Sequence, residues 1–304
     1  MITADPKRFV AAVRELAPLQ PGSARGVLLV RPQGFRVSSQ SASDNAYMHA
    51  GAAVDAGRAL AQHALLEHAL RQHSGLEIVA FDGALASPDA VFANNVYASC
   101  AGQLVVGAMR HPERRVEAER VDIAAWFAAR GAVIERLDAR PGVIAELTGS
   151  MVIDRARGVG FIGLGERCNL AGAQAMHRAF ALNASLVFAL APGEYHTNVV
   201  LSVLAGRAAV YDPQGFADPR VAEVIAAIYG EQAIAISAAE KHAFVANCLA
   251  LSPQQLWLSA CAERALAAGT RQRLRDGGFV LHSVTLDEIE LAGGSLRCCI
   301  AEIY

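Results

Sequence analysis

Gly293-Gly294-Ser295-Leu296-Arg297-Cys298-Cys299-Ile300-Ala301-Glu302-Ile303, near the C-terminus, combines small residues, two adjacent thiols and a strand-like apolar run. Residues without bulky side chains let backbone come close to a ligand. A thiolate is the strongest common protein nucleophile. The same stretch also fits a turn entering a core strand that buries its cysteines. Partners for the thiol elsewhere in the chain must separate the two readings.

Outward from that stretch, helical and strand signals alternate. Residues 5–18 read as a short amphipathic helix, with Phe9, Val10, Val13 and Leu16 on one face and Asp5-Pro6 at its start. Residues 24–31 read as a buried strand ending at Pro32. Helical stretches follow near 53–72, 119–130, 171–182, 218–229 and 259–275, about fifty residues apart. Strand-like runs fall at 77–81, 103–108, 142–147, 150–154, 159–163, 185–190, 198–204, 207–211, 233–237, 245–251, 255–258, 278–284 and 298–303. A doubly wound sheet needs about one strand per helix, and here there are two or three. The spacing instead predicts repeated ββαβ-like modules in an α/β chain. No linker or low-complexity stretch interrupts them, so 1–304 is expected to be one domain, with 1–22 as an N-terminal helical extension.

Composition narrows the function classes. The net charge of -2 gives no electrostatic case for nucleic acid or an anionic membrane surface. No apolar run is long enough to span a bilayer. Asp5, Lys7, Arg8, Arg14 and Glu15 break the pattern of a secretory leader. The six cysteines include no CxxC pair, so neither zinc nor a disulfide framework is expected. These features predict a cytoplasmic protein with free thiols.

Five further stretches could carry chemistry. Ser87-Pro88-Asp89-Ala90-Val91-Phe92-Ala93-Asn94-Asn95-Val96-Tyr97 places two amides together; they fit a hairpin turn, or a pair of neutral groups that both donate and accept at a ligand. Glu194-Tyr195-His196-Thr197-Asn198-Val199-Val200 reads as a strand start, which would set His196 and Asn198 on one face toward a ligand; for a lone His, capping a strand end is the commoner role. The other histidines, at 49, 63, 68, 73, 111, 177, 242 and 282, lack such a neighbourhood, and the five-residue spacing of His63, His68 and His73 makes no metal face. Glu146-Leu147-Thr148-Gly149-Ser150-Met151-Val152-Ile153-Asp154 sets an acid before a glycine turn, in a site or at a solvated hairpin end. Met109-Arg110-His111-Pro112-Glu113-Arg114-Arg115-Val116-Glu117 and Gly165-Glu166-Arg167 offer guanidinium groups that clamp carboxylates or lie solvated on the surface.

Taken in order, these motifs resemble those of the guanidino-group-modifying superfamily, which includes arginine deiminases, dimethylarginine hydrolases, arginine dihydrolases and amidinotransferases. Within it the chain is similar to the citrulline-utilisation hydrolases, which carry Pro-Asp-x-Val-Phe-x-Asn-Asn, His-Thr-Asn-Val and Gly-Gly-Ser-x-Arg-Cys-x-x-Ala-Glu-Ile. Here these are Pro88 to Asn95, His196 to Val199 and Gly293 to Ile303. The likeness runs from about residue 25 to 304. It implies the pentein fold, a five-bladed α/β propeller of ββαβ modules with pseudo-fivefold symmetry. It also implies Cys298, His196 and Glu146 as the catalytic set, with Arg167 meeting a substrate α-carboxylate and Arg114 and Arg115 as other candidates for that contact. Asn45 falls where relatives touch the substrate head group. The resemblance also implies Asn94, Asn95 and Asn198 as further substrate-binding residues, and Cys299 is assigned to packing because neighbours in an extended segment face opposite ways.

Arginine deiminases grip the cationic guanidinium with two aspartates, and Asn95 and Asn198 stand in those places. Amides complement a neutral ureido group, whereas a mispaired buried charge costs about 3–5 kcal/mol. The resemblance therefore implies a C–N hydrolase that takes citrulline to ornithine, ammonia and carbon dioxide through a covalent Cys298 intermediate. Arginine deiminase or dihydrolase, amidinotransferase and a catalytically silent pentein remain as alternatives. A small amino-acid substrate, no organic cofactor, no metal and no nucleic-acid or membrane partner are expected; homo-oligomerisation stays open.

Overall fold

The computed structural model describes residues 1–17, 22–48, 51, 53–100 and 102–304; the end of the predicted first helix and His49 lie outside them. Among the described residues the strands form five separate sheets. Each has a central strand paired antiparallel on one side and parallel on the other, with the helical segment between the parallel pair. Tyr97–Cys100, Gln103–Val106 and Val133–Arg136 form one sheet. Met151–Asp154, Val159–Leu164 and Ala184–Ala189 form the next. Leu201–Leu204, Ala208–Tyr211 and Ala233–Ala235 follow, then Leu249–Ala250, Gln255–Ser259 and Val280–Val284. The fifth joins the chain's two ends: Ala301–Ile303 pairs antiparallel with Gly26–Arg31, which pairs parallel with Glu77–Asp82.

Local sequence explains the helices. Asp55 caps Ala56–His73 by accepting from Arg58 N–H at 2.9 Å, and Ala59, His63, Leu66 and Leu70 form its buried stripe. Asn169 caps Leu170–Ala179 through Gly172 N–H at 2.8 Å. The stretch 259–275 divides into Ala260–Ala265 and Ala268–Asp276, because Ala267 N–H is taken by Glu240 Oε1 at 3.0 Å rather than by the helix. The region 119–130 holds Val121–Ala128, preceded by a second helix, Pro112–Ala118.

The predicted extension joins the core. Ile2–Thr3 adds to the edge of the second sheet, opposite Ser185 and Leu186. Pro6–Arg14 lies against Arg220–Tyr229, and its fully buried Phe9 meets Phe161 edge-on at 5.5 Å.

Four strand expectations need correction. Residues 142–147 hold an isolated bridge at Ala145 rather than a strand. In 198–204, 245–251 and 298–303 only the second part is strand: Leu201–Leu204, Leu249–Ala250 and Ala301–Ile303. Ahead of the first and last of these stand single helical turns, Thr197–Val200 and Leu296–Cys299, and Leu147–Ser150 stands likewise before Met151–Asp154. An apolar run of four residues has no resolvable period, so strand and helical turn read alike in it. Tyr97–Cys100, which follows the turn Ala93–Asn95, carried no strand signal in the sequence.

His63 sits in the core of Ala56–His73 with neither ring nitrogen hydrogen-bonded. Burial pushes its pKa down to about 4, against a weaker upward pull from Glu67. A lowered folded pKa means that the unfolded chain binds the proton first, so stability is full above about pH 6.5 and falls as pH drops toward 4. That loss should reach about 3 kcal/mol. His63→Leu is expected to flatten this part of the profile, measured by urea unfolding across that interval; equal slopes in the two proteins would refute it.

Candidate active site

Six of the predicted residues sit at turns that lead into the first strand of four of the five sheets. Asn94 and Asn95 lie in Ala93–Asn95, and Glu146 caps Leu147–Ser150. His196 caps Thr197–Val200, which contains Asn198, and Leu296–Cys299 contains Cys298. Hydrogen bonds tie each turn to another. Thr148 Oγ1 donates to Asn94 O at 3.1 Å, and Thr197 Oγ1 donates to Ser150 O at 2.6 Å. Asn247, before Leu249–Ala250, donates to Asn198 O at 2.9 Å, and Arg297 N–H donates to Asn247 Oδ1 at 3.1 Å.

This corrects one reading. His196 and Asn198 do not share a strand face, because Asn198 is inside a helical turn. Nor do Cys298 and Cys299 alternate across an extended segment; about 100° of helical rotation separates them. Cys299 Sγ faces Ser295 O at 3.5 Å, among core side chains.

Glu146 is fully buried. Its Oε2 lies 3.0 Å from His196 Nε2 and 3.1 Å from an Arg167 nitrogen, and Arg110 N–H donates to Oε1 at 3.3 Å. Arg114 approaches to 3.7 Å. Burial alone would raise this carboxyl, but Arg167, His196 and Arg114 outweigh it and hold it well below the usual carboxylate range. His196 is pushed the other way: burial, with Arg167 and Arg114, lowers its pKa against the pull of Glu146. The imidazole is thus neutral near pH 7. With an ionised carboxylate at Nε2, the proton sits there, and Nδ1 keeps its lone pair. Nδ1 has no partner in the protein.

Two amides approach the thiol. Asn247 Nδ2 lies 3.3 Å and Asn198 Nδ2 3.7 Å from Cys298 Sγ. Burial raises the Cys298 pKa; donors from Asn247, Ser295 N–H and Asn198, together with the Arg297 charge, oppose it. Asn95 Oδ1 accepts from Arg114 at 2.7 Å, and its Nδ2 donates to Asn94 Oδ1 at 2.6 Å. Asn94 Nδ2 is buried without a partner, as is Asp89 Oδ1.

The arginines differ sharply. Arg167 is gripped by Asp44 through Nε at 3.0 Å, by Glu146 and by Ser41 O. Arg114 is buried and spends its donors on Glu117, Asn95 and two backbone carbonyls. Arg115 is exposed and bonds Met109 O and Arg110 O, so it is not brought to the other residues. Asn45 Oδ1 accepts from Tyr47 N–H at 3.0 Å, and Asn45 lies against Gly293.

Sequence reasoning missed Asp44, Asp89, Tyr195, Asn247 and Gly149. Asp44 joins Arg167, Arg110 and His111. Tyr195 donates to Gly293 O at 2.5 Å and tilts against the His196 ring at 4.5 Å. Asn247 carried a usable signal, being about fifty residues from both Asn198 and Cys298. The others stood beside residues already singled out, with nothing in their type to mark them. Among the described residues no group of His, Cys, Asp and Glu gathers as a metal site, and no helix is long and apolar enough to cross a membrane.

Comparison with known proteins adds a family. The family model described as "N,N dimethylarginine dimethylhydrolase, eukaryotic" matches residues 31–304. No curated protein matches. Among solved structures, the N-terminal domain of ArgZ, an arginine dihydrolase from cyanobacteria, in a cysteine-to-serine variant bound to substrate, is 19% identical with a TM-score of 0.79, covering 91% of this chain and 97% of that one. An AgrE variant in complex with L-arginine is 21% identical with a TM-score of 0.80, covering 91% of this chain and 40% of that longer one. A dimethylarginine dimethylaminohydrolase adduct with S-methyl-L-thiocitrulline is 18% identical with a TM-score of 0.72, covering 92% and 100%. At these identities the likeness establishes the α/β fold.

Gly149 separates two key side chains. A Cβ there would stand 2.6 Å from Asn95 Nδ2 and 2.7 Å from His196 Cε1. Gly149→Ala is therefore expected to displace the imidazole and lower kcat by about a hundred-fold, as misplacement near 1 Å does, and to lower the urea midpoint, because overpacking a filled core costs about 1–3 kcal/mol. Wild-type kcat in this variant would refute the placement.

Proposed function

The chain belongs to the N,N-dimethylarginine dimethylhydrolase family of guanidino-group-modifying enzymes, and from that premise we propose that it is a cysteine-dependent C–N hydrolase whose substrate is citrulline. The observation that carries the substrate choice is the set of amides. Asn198 meets the Cys298 sulfur, Asn95 lies across Gly149 from His196, and Asn94 Nδ2 is a buried donor without a partner. A ureido oxygen accepts from such donors, and no charge is left to neutralise. Glu146, the nearby ionised carboxylate, is already occupied by Arg167 and His196.

In the proposed reaction Cys298 attacks the ureido carbon as a thiolate, and His196 Nδ1 handles the proton. Glu146 fixes the tautomer by accepting at Nε2. Collapse of the tetrahedral adduct breaks the bond to the δ-nitrogen, which takes a proton and leaves as ornithine. The S-carbamoyl cysteine then adds water, and the released carbamate breaks down to ammonia and carbon dioxide. Arg167 is proposed for the substrate α-carboxylate, which would take the position Asp44 now holds; Asp89 Oδ1 is a buried acceptor for the ammonium. Arg114 supports Asn95 rather than meeting substrate.

The wider reading follows the same family. The five sheets are taken as blades of a pentein propeller in one catalytic domain, 1–304. Adjacency of Met151–Asp154 to Leu201–Leu204, of that strand to Leu249–Ala250, and of Ala301–Ile303 to Tyr97–Cys100 supports a ring. Free thiols support a cytoplasmic location. Arginine dihydrolase is the competing activity, favoured by Glu146 as an anion close to His196.

Incubation with citrulline, arginine and N,N-dimethylarginine, followed by assay of ornithine, citrulline, ammonia and dimethylamine, tests the reading. Citrulline should give the highest kcat/KM, and arginine at equal or greater kcat/KM would replace this reading with the dihydrolase. Asn95→Asp with Asn198→Asp should lower kcat/KM for citrulline by about a hundred-fold or more. Separately, Cys298→Ser should abolish turnover while Cys299→Ala keeps most of it; a trapped adduct on Cys299 would reverse that assignment.

A further inference from the structure

Asn247 has no part in the reaction outlined above, yet its side chain touches both the Cys298 turn and the His196 turn. It is fully buried. Its own turn closes through Asn247 N–H donating to Phe244 O at 2.8 Å, with Phe244 in the left-handed region at φ 62°. Oδ1 accepts from Arg297 N–H at 3.1 Å; Nδ2 donates to Asn198 O at 2.9 Å and to Cys298 Sγ at 3.3 Å. A backbone N–H only donates and a backbone carbonyl only accepts, so these partners fix which way the amide faces. Its NH₂ group must point at the sulfur.

We propose that Asn247 is a further catalytic residue, whose amide donates to the Cys298 thiolate and fixes the sulfur beside Asn198. This rests on reading Cys298 as the nucleophile. A donor bonds an ionised acceptor more strongly than a neutral one, so it favours thiolate over thiol. Burial pushes the thiol up, and the Asn247 donor is the first of the groups that oppose it. Ionisable groups coupled to the thiol are Arg297 and Cys299 on its own turn and Tyr195 before the His196 turn, and the proposed reaction adds His196, whose pKa burial lowers. Only Arg297 is charged near neutral pH, and Glu302 pairs with it at 2.9 Å. The amide is thus the main direct support for negative charge on the sulfur. Asn247→Asp keeps the Arg297 bond but turns an acceptor toward both the sulfur and Asn198 O.

Ionisation of Cys298 is read in substrate-free protein as ultraviolet thiolate absorbance against pH, each protein minus its Cys298→Ser counterpart. The midpoint should rise by about one to two pH units in Asn247→Asp. It should move the same way in Asn247→Ala, which removes the donor without adding charge and serves if the first variant does not fold. The acid limb of kcat/KM should rise with it. An unchanged or lowered midpoint overturns the proposal. A raised midpoint in a protein that turns over no ureido or guanidino amino acid keeps the Asn247–thiol coupling and rejects the hydrolase reading, so the two fail separately.

Discussion

The ionised Glu146 carboxylate, with no exposed surface, is the constraint on which the rest of the site depends. A bare carboxylate cannot be buried at bearable cost. Arg167, Arg114 and His196 must therefore stand around it, and each comes from a different part of the chain. Arg167 carries its own requirement, since a buried guanidinium needs its remaining donors matched, and Asp44 and Ser41 O supply that match. The polar centre is thus a single linked network. Removing one charge leaves its neighbours unpaired, which is the expensive event in a buried ion cluster.

The same network explains how the thiol and the imidazole come to be poised in different ways. His196 is held neutral by burial and by two arginines, yet oriented by Glu146, so one nitrogen is committed and the other free. Among the described residues, none of the main influences on the Cys298 thiol is a carboxylate. Its surroundings are amides and a guanidinium, which tolerate a developing negative charge without supplying a competing proton acceptor.

Above this centre runs the segment from Ser38 to Met48. Ser41 and Asp44 hold Arg167, Tyr47 donates to Glu194 at 2.6 Å, and Asn45 lies against Gly293, whose positive φ of 76° places backbone where a side chain would strike it. The small residues of the terminal Gly-Gly-Ser stretch are therefore explained by close approach. Gly294 has the Phe92 ring where a Cβ would stand, at 2.7 Å.

Several features were legible because they are local. Strand–helix alternation, the Asp55 and Asn169 caps and the buried stripe of Ala56–His73 follow from periodicity and capping chemistry in contiguous residues. The order of the motifs was enough to gather Cys298, His196, Glu146 and the asparagines as candidates. Other features were not local. A four-residue apolar run reads the same as strand or helical turn, and only bonds such as Thr197 Oγ1 to Ser150 O decide for the turn. Nothing in the residue types of Arg114, Arg115 and Arg167 told a network member from a surface group; burial and the supply of carboxylates told them apart. Asn247 was marked in the sequence only by its spacing from Asn198 and Cys298; its role shows when the fold brings Arg297 N–H, Asn198 O and Cys298 Sγ to its amide. The sequence by itself determined the longer helices, the strand–helix alternation and the chemical inventory, which depend on neighbours along the chain. Tertiary structure decided which of those groups are charged, paired and free to react, because desolvation and hydrogen-bond partners come from residues far apart in sequence.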